Sequence, residues 1–303
     1  MEDVLGAVRH VSTFLALLFA VACGSGNDSP SSPTPGPGPG SGPVRPAAGA
    51  NIAYTAIGAS DANGVGGSVV CIPFAPCENG TGYVPVLTRA LRPGREVTLR
   101  NLGIPGAFLS PAVEQISRDQ GHSTTGNFVD REMPFVPGDT TLVTLFGGGN
   151  DVNAVTEAAE RGTAGSDVKG YLDAQIRAFG SDYDRLISGI RGRAANAFII
   201  VINVPNMAAL PYARGYAESR RRIMQHLSAG FSRQANDQAG AGVVVLDLMC
   251  DGQAYDSSRF SSDGFHPNDA GYAYLADRLR AIVNGGSSSP AGSCSQMTVV
   301  PPL

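Results

Sequence analysis

The chain has 303 residues, 43% of them hydrophobic, and a formal charge of −4 from 22 Lys and Arg against 26 Asp and Glu. A slight acidic excess without a long basic run argues against nucleic acid as a partner. Five cysteines with no CxxC pair and no Cys/His cluster argue against a structural zinc site.

Residues 1–22 hold one arginine, Arg9, and then an apolar run over 11–22 broken only by Ser12 and Thr13. About a dozen apolar residues fall short of the ~20 that a membrane-spanning helix needs. The run therefore reads as the core of a secretory signal, residues 1–22. It ends Ala20-Val21-Ala22-Cys23-Gly24, which resembles the bacterial lipobox. That resemblance implies cleavage before Cys23 and a lipid on its thiol, hence a membrane anchor and a place in the bacterial cell envelope. Ala20 stands where leucine is commoner, and Glu2 and Asp3 lie in a normally basic region. A plain signal cut after Ala22, giving a secreted protein, is the alternative.

Residues 24–46 are almost wholly Gly, Ser and Pro. With so little to bury, such a segment cannot offset the entropy of ordering it. Its prolines make it an extended spacer, so residues 23–46 read as a tether. Export permits disulfides, and setting Cys23 aside leaves four cysteines, Cys71, Cys77, Cys250 and Cys294. A Cys71–Cys77 bridge would close a short loop. A Cys250–Cys294 bridge would tie the tail, residues 287–303, to the domain. The sequence leaves the other two pairings open.

The domain proper spans residues 47–286, a length suited to one core. Short apolar runs at 52–57, 96–102, 141–146, 198–204 and 243–248 predict five strands. The last two (FIIVINV and VVVLDL) are apolar toward both faces, as parallel strands covered on both sides are. Between them lie helical patterns. Val168, Tyr171, Leu172, Ile176 and Phe179 predict a helix over 167–179, and Ile223, Leu227 and Phe231 one over 213–231. After Pro267, Asn268 or Asp269 can cap a last helix whose stripe is Leu275, Leu279, Ile282 and Val283, closed by Gly285-Gly286. Strands alternating with helices predict an α/β fold, a three-layer sandwich around a five-stranded parallel sheet.

In open α/β sheets, reactive groups gather past the C-terminal ends of the strands. There the sequence reads Gly58-Ala59-Ser60-Asp61, then Asn101-Leu102-Gly103-Ile104, then Gly148-Gly149-Asn150-Asp151, and finally Asp263-Gly264-Phe265-His266-Pro267. A serine hydroxyl attacks well only when a base takes its proton. Of His122, His226 and His266, only His266 follows the last strand with a carboxylate, Asp263, three residues before it. Asp263 can fix the imidazole tautomer and stabilise the imidazolium. Asp247 and Asp251 are rival acids near the end of the fifth strand. The bland readings make Ser60 an ordinary helix cap, let Asp151 cap the helix after the third strand, and leave His226 exposed beside Arg220, Arg221 and Arg222. His122 is a candidate for the cleft wall.

These four blocks, in this order, resemble the SGNH/GDSL hydrolase superfamily of lipases and esterases, over residues 53–283. The resemblance implies a flavodoxin-like sheet and a carboxylic ester hydrolase that needs no metal and no organic cofactor. It implies Ser60 as nucleophile, His266 as base and Asp263 as its acid, with Ser60, Gly103 and Asn150 supplying the oxyanion hole. Ala59 departs from the family, which usually has aspartate before the serine. The segment Asn203-Val204-Pro205, closing at Pro211, is similar to one in lipase and carboxylesterase members and favours esters of short to medium acyl chains. A polysaccharide or peptidoglycan O-acetylesterase of the same fold is the runner-up. A non-catalytic surface-binding lipoprotein is the reading from another class.

Overall fold

A computed structural model describes residues 44–303; the expected secretory signal, Cys23 and most of the expected tether lie outside the described residues. The five expected strands are all present as β1 (Ile52–Gly58), β2 (Val97–Asn101), β3 (Leu142–Phe146), β4 (Phe198–Ile202) and β5 (Val243–Leu246). They form one parallel sheet in the order β2-β1-β3-β4-β5. β2, β4 and β5 stop one or two residues before their apolar runs do, because the last residues of those runs turn into the loops above the sheet.

Alternation along the strands splits the core in two. Val143 and Leu145 of β3 and Ile199 and Val201 of β4 face one layer. Leu142, Phe198, Ile200 and Ile202 face the other. That second layer is covered by α2 (Tyr83–Leu91) and α8 (Asp269–Val283). The first is covered by α5 (Gly149–Glu160), α6 (Val168–Arg193) and α7 (Glu218–Asn236), with α3 (Pro111–Asp119) beside them. A four-residue α1 (Ser60–Asn63) follows β1, and an equally short α4 (Phe128–Arg131) precedes β3.

The α6 helix runs fourteen residues past its expected end at 179, a span holding three glycines at 180, 189 and 192 that dilute the helical pattern. Two of them are packing solutions: a Cβ at Gly180 would run into the side chain of Gln234, and one at Gly189 into Met133. Tyr183, Leu186 and Ile190 meanwhile continue the buried stripe.

Two disulfides join Cys71 to Cys77 and Cys250 to Cys294. Residues beyond Cys294 pack on α7. Gln225, buried in that helix, donates to the Val300 carbonyl at 2.8 Å and accepts its N–H at 3.0 Å. Among the described residues no helix is long and apolar enough to cross a membrane.

Candidate active site

The loops above β1, β3 and β5 meet over the sheet. Ser60 opens α1 directly after β1 and is nearly buried. His266 lies on the loop before α8, more than two hundred positions later. Its Nε2 stands 2.9 Å from Ser60 Oγ, and its Nδ1 stands 2.6 Å from Asp263 Oδ2. With Nδ1–H donating to the carboxylate, Nε2 is left to accept the serine proton.

Asp263 organises its own loop. Its Oδ1 accepts the N–H groups of Phe265 at 2.8 Å and His266 at 2.9 Å, and the Ser261 hydroxyl at 2.7 Å. Partial burial alone would raise its pKa. The hydrogen bonds from the His266 ring, Ser261 and the two backbone groups outweigh that and hold the carboxyl well below the usual carboxylate range. Gly264 makes the turn between acid and base at φ +69°, where a Cβ would come 2.7 Å from the Tyr212 nitrogen. Phe265 meets the rings of Tyr212 and His266 edge-on, at 5.1 and 4.7 Å between centroids.

Two of the three expected oxyanion donors line the cleft, Ser60 and Asn150. The Ser60 N–H is in the first turn of α1, where no intrahelical acceptor exists. Asn150 Nδ2 gives one proton to the Ala107 carbonyl at 2.8 Å, and the amide carries a second. Gly103 departs from expectation. Its N–H donates to Asn101 Oδ1 at 3.1 Å, and it is not part of the cleft wall. Asn101 folds back to make that bond while its Nδ2 donates to the Ala62 carbonyl at 2.7 Å. The bareness of Gly103 is a packing requirement, since a Cβ there would lie 2.5 Å from that of Ala62.

The cleft is open to solvent. Its lining is largely apolar, including Phe146, Val204, Leu210, Leu248 and Leu275, and also holds Arg259. Asp61, directly after the serine, also lines it, and burial raises that carboxyl's pKa. The adjacency of Asp61 to Ser60 was the sequence signal for it.

Other expectations are corrected. Asp151 does not cap α5, whose cap position is Gly148 with no capping side chain. It is instead fully buried and accepts the N–H groups of Leu109 and Ser110 at 3.0 Å each. Burial outweighs these bonds and pushes its pKa up to about 7. Neither rival acid contacts His266. Asp247 binds Asn203 and the N–H groups of Cys250 and Ala291, while Asp251 binds Tyr274 and Arg278. His226 is largely covered and sits 2.7 Å from Asp173. Arg220 stacks on Tyr216 and pairs with Glu160, and Arg222 reaches the Pro302 carbonyl, so these arginines are not a bare solvated face. His122 bonds Glu157 and does not line the cleft. Among the described residues no group of three or more His, Cys, Asp and Glu could hold a metal ion.

A family model for GDSL-like lipase/acylhydrolase matches residues 56–274. Among solved structures, the chain is similar to the lipase Lip_vut3 from a goat rumen metagenome. The two share 20% identity and a TM-score of 0.54, over 78% of this chain and 98% of that one. It is also similar to an extracellular lipase from Streptomyces rimosus, at 17% identity and a TM-score of 0.51, over 76% of this chain and 99% of that one. No curated protein matches the chain in sequence.

Proposed function

The chain belongs to the GDSL-like lipase/acylhydrolase family, and from that premise we propose that it hydrolyses carboxylic esters through an acyl-enzyme on Ser60. The observation that carries this reading is the unbroken relay from Ser60 Oγ to His266 Nε2 and from His266 Nδ1 to Asp263, at 2.9 and 2.6 Å.

In the first half-reaction, Ser60 Oγ attacks the acyl carbon as its proton passes to His266 Nε2. The carbonyl oxygen takes the negative charge and is met by the Ser60 N–H and the free N–H of Asn150, a contribution worth about 2.7–4 kcal/mol per donor in such sites. Collapse breaks the bond to the alcohol oxygen, which leaves with the proton from His266. Water then repeats the sequence against the acyl-enzyme, giving the acid and restoring the serine. Asp263 stays ionised throughout, as its depressed pKa requires, and stabilises the imidazolium between the two transfers. The apolar cleft wall suits an aliphatic acyl chain of short to medium length, consistent with the segment running from Asn203 to Pro211.

Ser60→Ala and His266→Ala are each expected to lower kcat for p-nitrophenyl butyrate by at least about 10³-fold, with thermal unfolding shifted by no more than a few degrees. Rates equal to wild type in both variants would falsify the assignment.

We also infer an exported protein held to the cell envelope by lipid on Cys23, on the strength of the lipobox resemblance and the Gly/Ser/Pro spacer. Two disulfides fit an oxidising compartment. Cys23→Ala should move the protein from the membrane fraction to the soluble one. Retention in the membrane fraction would count against the anchor.

A further inference from the structure

Beneath the nucleophile lies an acid that the reaction scheme does not use. Glu132 directly follows α4, its side chain has no exposure to solvent, and burial raises its pKa well above the ordinary carboxyl value. A buried carboxyl beside a reactive cleft calls for a reason. Its Oε2 accepts the Gly58 N–H at 2.9 Å, while Oε1 is buried without a partner. The Gly58 carbonyl in turn accepts the Ile104 N–H at 3.0 Å, so the residue that Glu132 holds also holds the Gly103 loop. The pairing of β1 with β2 ends at Ala56 and Asn101. Beyond that point the Gly58 N–H has no backbone acceptor on the β2 side, and Glu132 supplies one.

The short helix that delivers Glu132 touches the other active-site loops as well. Phe128 N–H donates to the Phe108 carbonyl at 2.9 Å, and Phe108 N–H to the Gly126 carbonyl at 3.0 Å, joining α4 to the loop that continues from Gly103. The Phe128 ring lies where a Cβ on Gly147 would be, directly under the turn that leads to Asn150. One segment, residues 126–132, thus contacts the serine turn, the Gly103 loop and the Asn150 turn from behind.

We propose that Glu132 is a positioning residue, clamping the turn before Ser60 against the Gly103 loop and thereby fixing the serine hydroxyl and N–H for attack. This rests on the ester-hydrolase reading above, but the clamp has a readout of its own.

In the full chain, Glu132→Gln keeps a carbonyl oxygen at the same reach, Glu132→Asp withdraws it by one methylene, and Glu132→Leu removes it. Glu132→Gln should keep kcat for p-nitrophenyl butyrate within about threefold of wild type. Glu132→Asp and Glu132→Leu should lose about 10²-fold in kcat with KM within about threefold, the size of loss that a misplaced reacting group produces. Backbone amide exchange over residues 56–62 and 102–106 should rise in the Asp and Leu variants and not in Gln. A folded Glu132→Asp with kcat and exchange both unchanged overturns the proposal, as does a Gln variant that falls as far as Asp. Should Glu132→Leu fail to fold, Glu132→Asp decides. If the wild-type chain cleaves no ester, the hydrolase reading fails, and the clamp is judged on exchange alone.

Discussion

The serine turn and the histidine loop come within 2.9 Å of each other, yet they are built by opposite means. Residues 58–63 are buried, except the half-buried Asp61, and several separate side chains tie them to backbone groups. Asn63 Nδ2 donates to the Gly103 carbonyl at 2.8 Å, Asn101 to that of Ala62, and Glu132 receives Gly58. Residues 261–267 lie at the surface, with the Asp263 side chain 47% exposed. They are held by the fan of bonds around one carboxylate and by the Ser261 N–H bond to the His266 carbonyl at 2.8 Å. The difference follows from what each partner must do. Ser60 supplies both the attacking atom and a backbone donor, so its backbone must not shift. His266 must become a cation and revert, which full burial would penalise.

The comparison can be broken at its most exposed point. Asp263→Asn should lower kcat by about 10³–10⁴-fold, because an amide cannot hold the imidazole in the tautomer that accepts from serine. Thermal stability should fall little, since the loop is peripheral to both core layers. A variant with near-wild-type turnover would transfer the acid's role elsewhere.

The disulfides test the two regions at the next level. Cys71–Cys77 follows the serine turn with a sequence separation of 6, and Cys250–Cys294 braces the chain before the histidine loop with a separation of 44. Chain-entropy reasoning gives about 2 kcal/mol for the short closure and about 4 kcal/mol for the long one. Replacing both cysteines of the long bridge by serine should therefore cost more in denaturant midpoint than doing the same to the short one. The reverse ranking would mean that the self-supporting region is the one before the histidine.

The last expected effect concerns pH. Asp151 has a folded pKa of about 7, above that of an unfolded aspartate, so the native state holds the proton more tightly. Its contribution to stability is intact below about pH 4 and is lost as pH rises toward 7, at about 1.4 kcal/mol per tenfold difference in proton affinity. Glu132 acts in the same direction. Denaturant midpoints should thus decline from pH 5 to pH 8, and Asp151→Asn should flatten the decline. An unchanged slope in that variant would assign the pH dependence to other groups.

How much could be read beforehand differed from element to element. The α3 helix carries a sequence signal, Ser110 as cap and Pro111 in the first turn, with Ser110 Oγ accepting the Val113 N–H. The α2 and α5 helices start after Gly82 and Gly148 with no capping side chain, so no cap residue marks their beginnings. Asp151 in the first turn of α5 looked like a cap because acids favour that position. Tertiary structure used it instead to hold the backbone at Leu109 and Ser110, forty residues away.

By itself the sequence determined the five strands, their parallel arrangement and the loops that carry Ser60, Asn150, Asp263 and His266, because apolar periodicity and residue order are local properties of the chain. Only the tertiary structure decided that Asp151 and Glu132 are buried acids serving distant backbone, and that α6 continues through three glycines. Those outcomes depend on which long-range neighbour satisfies a buried polar group or fills the space of a missing side chain. No window of sequence contains both partners.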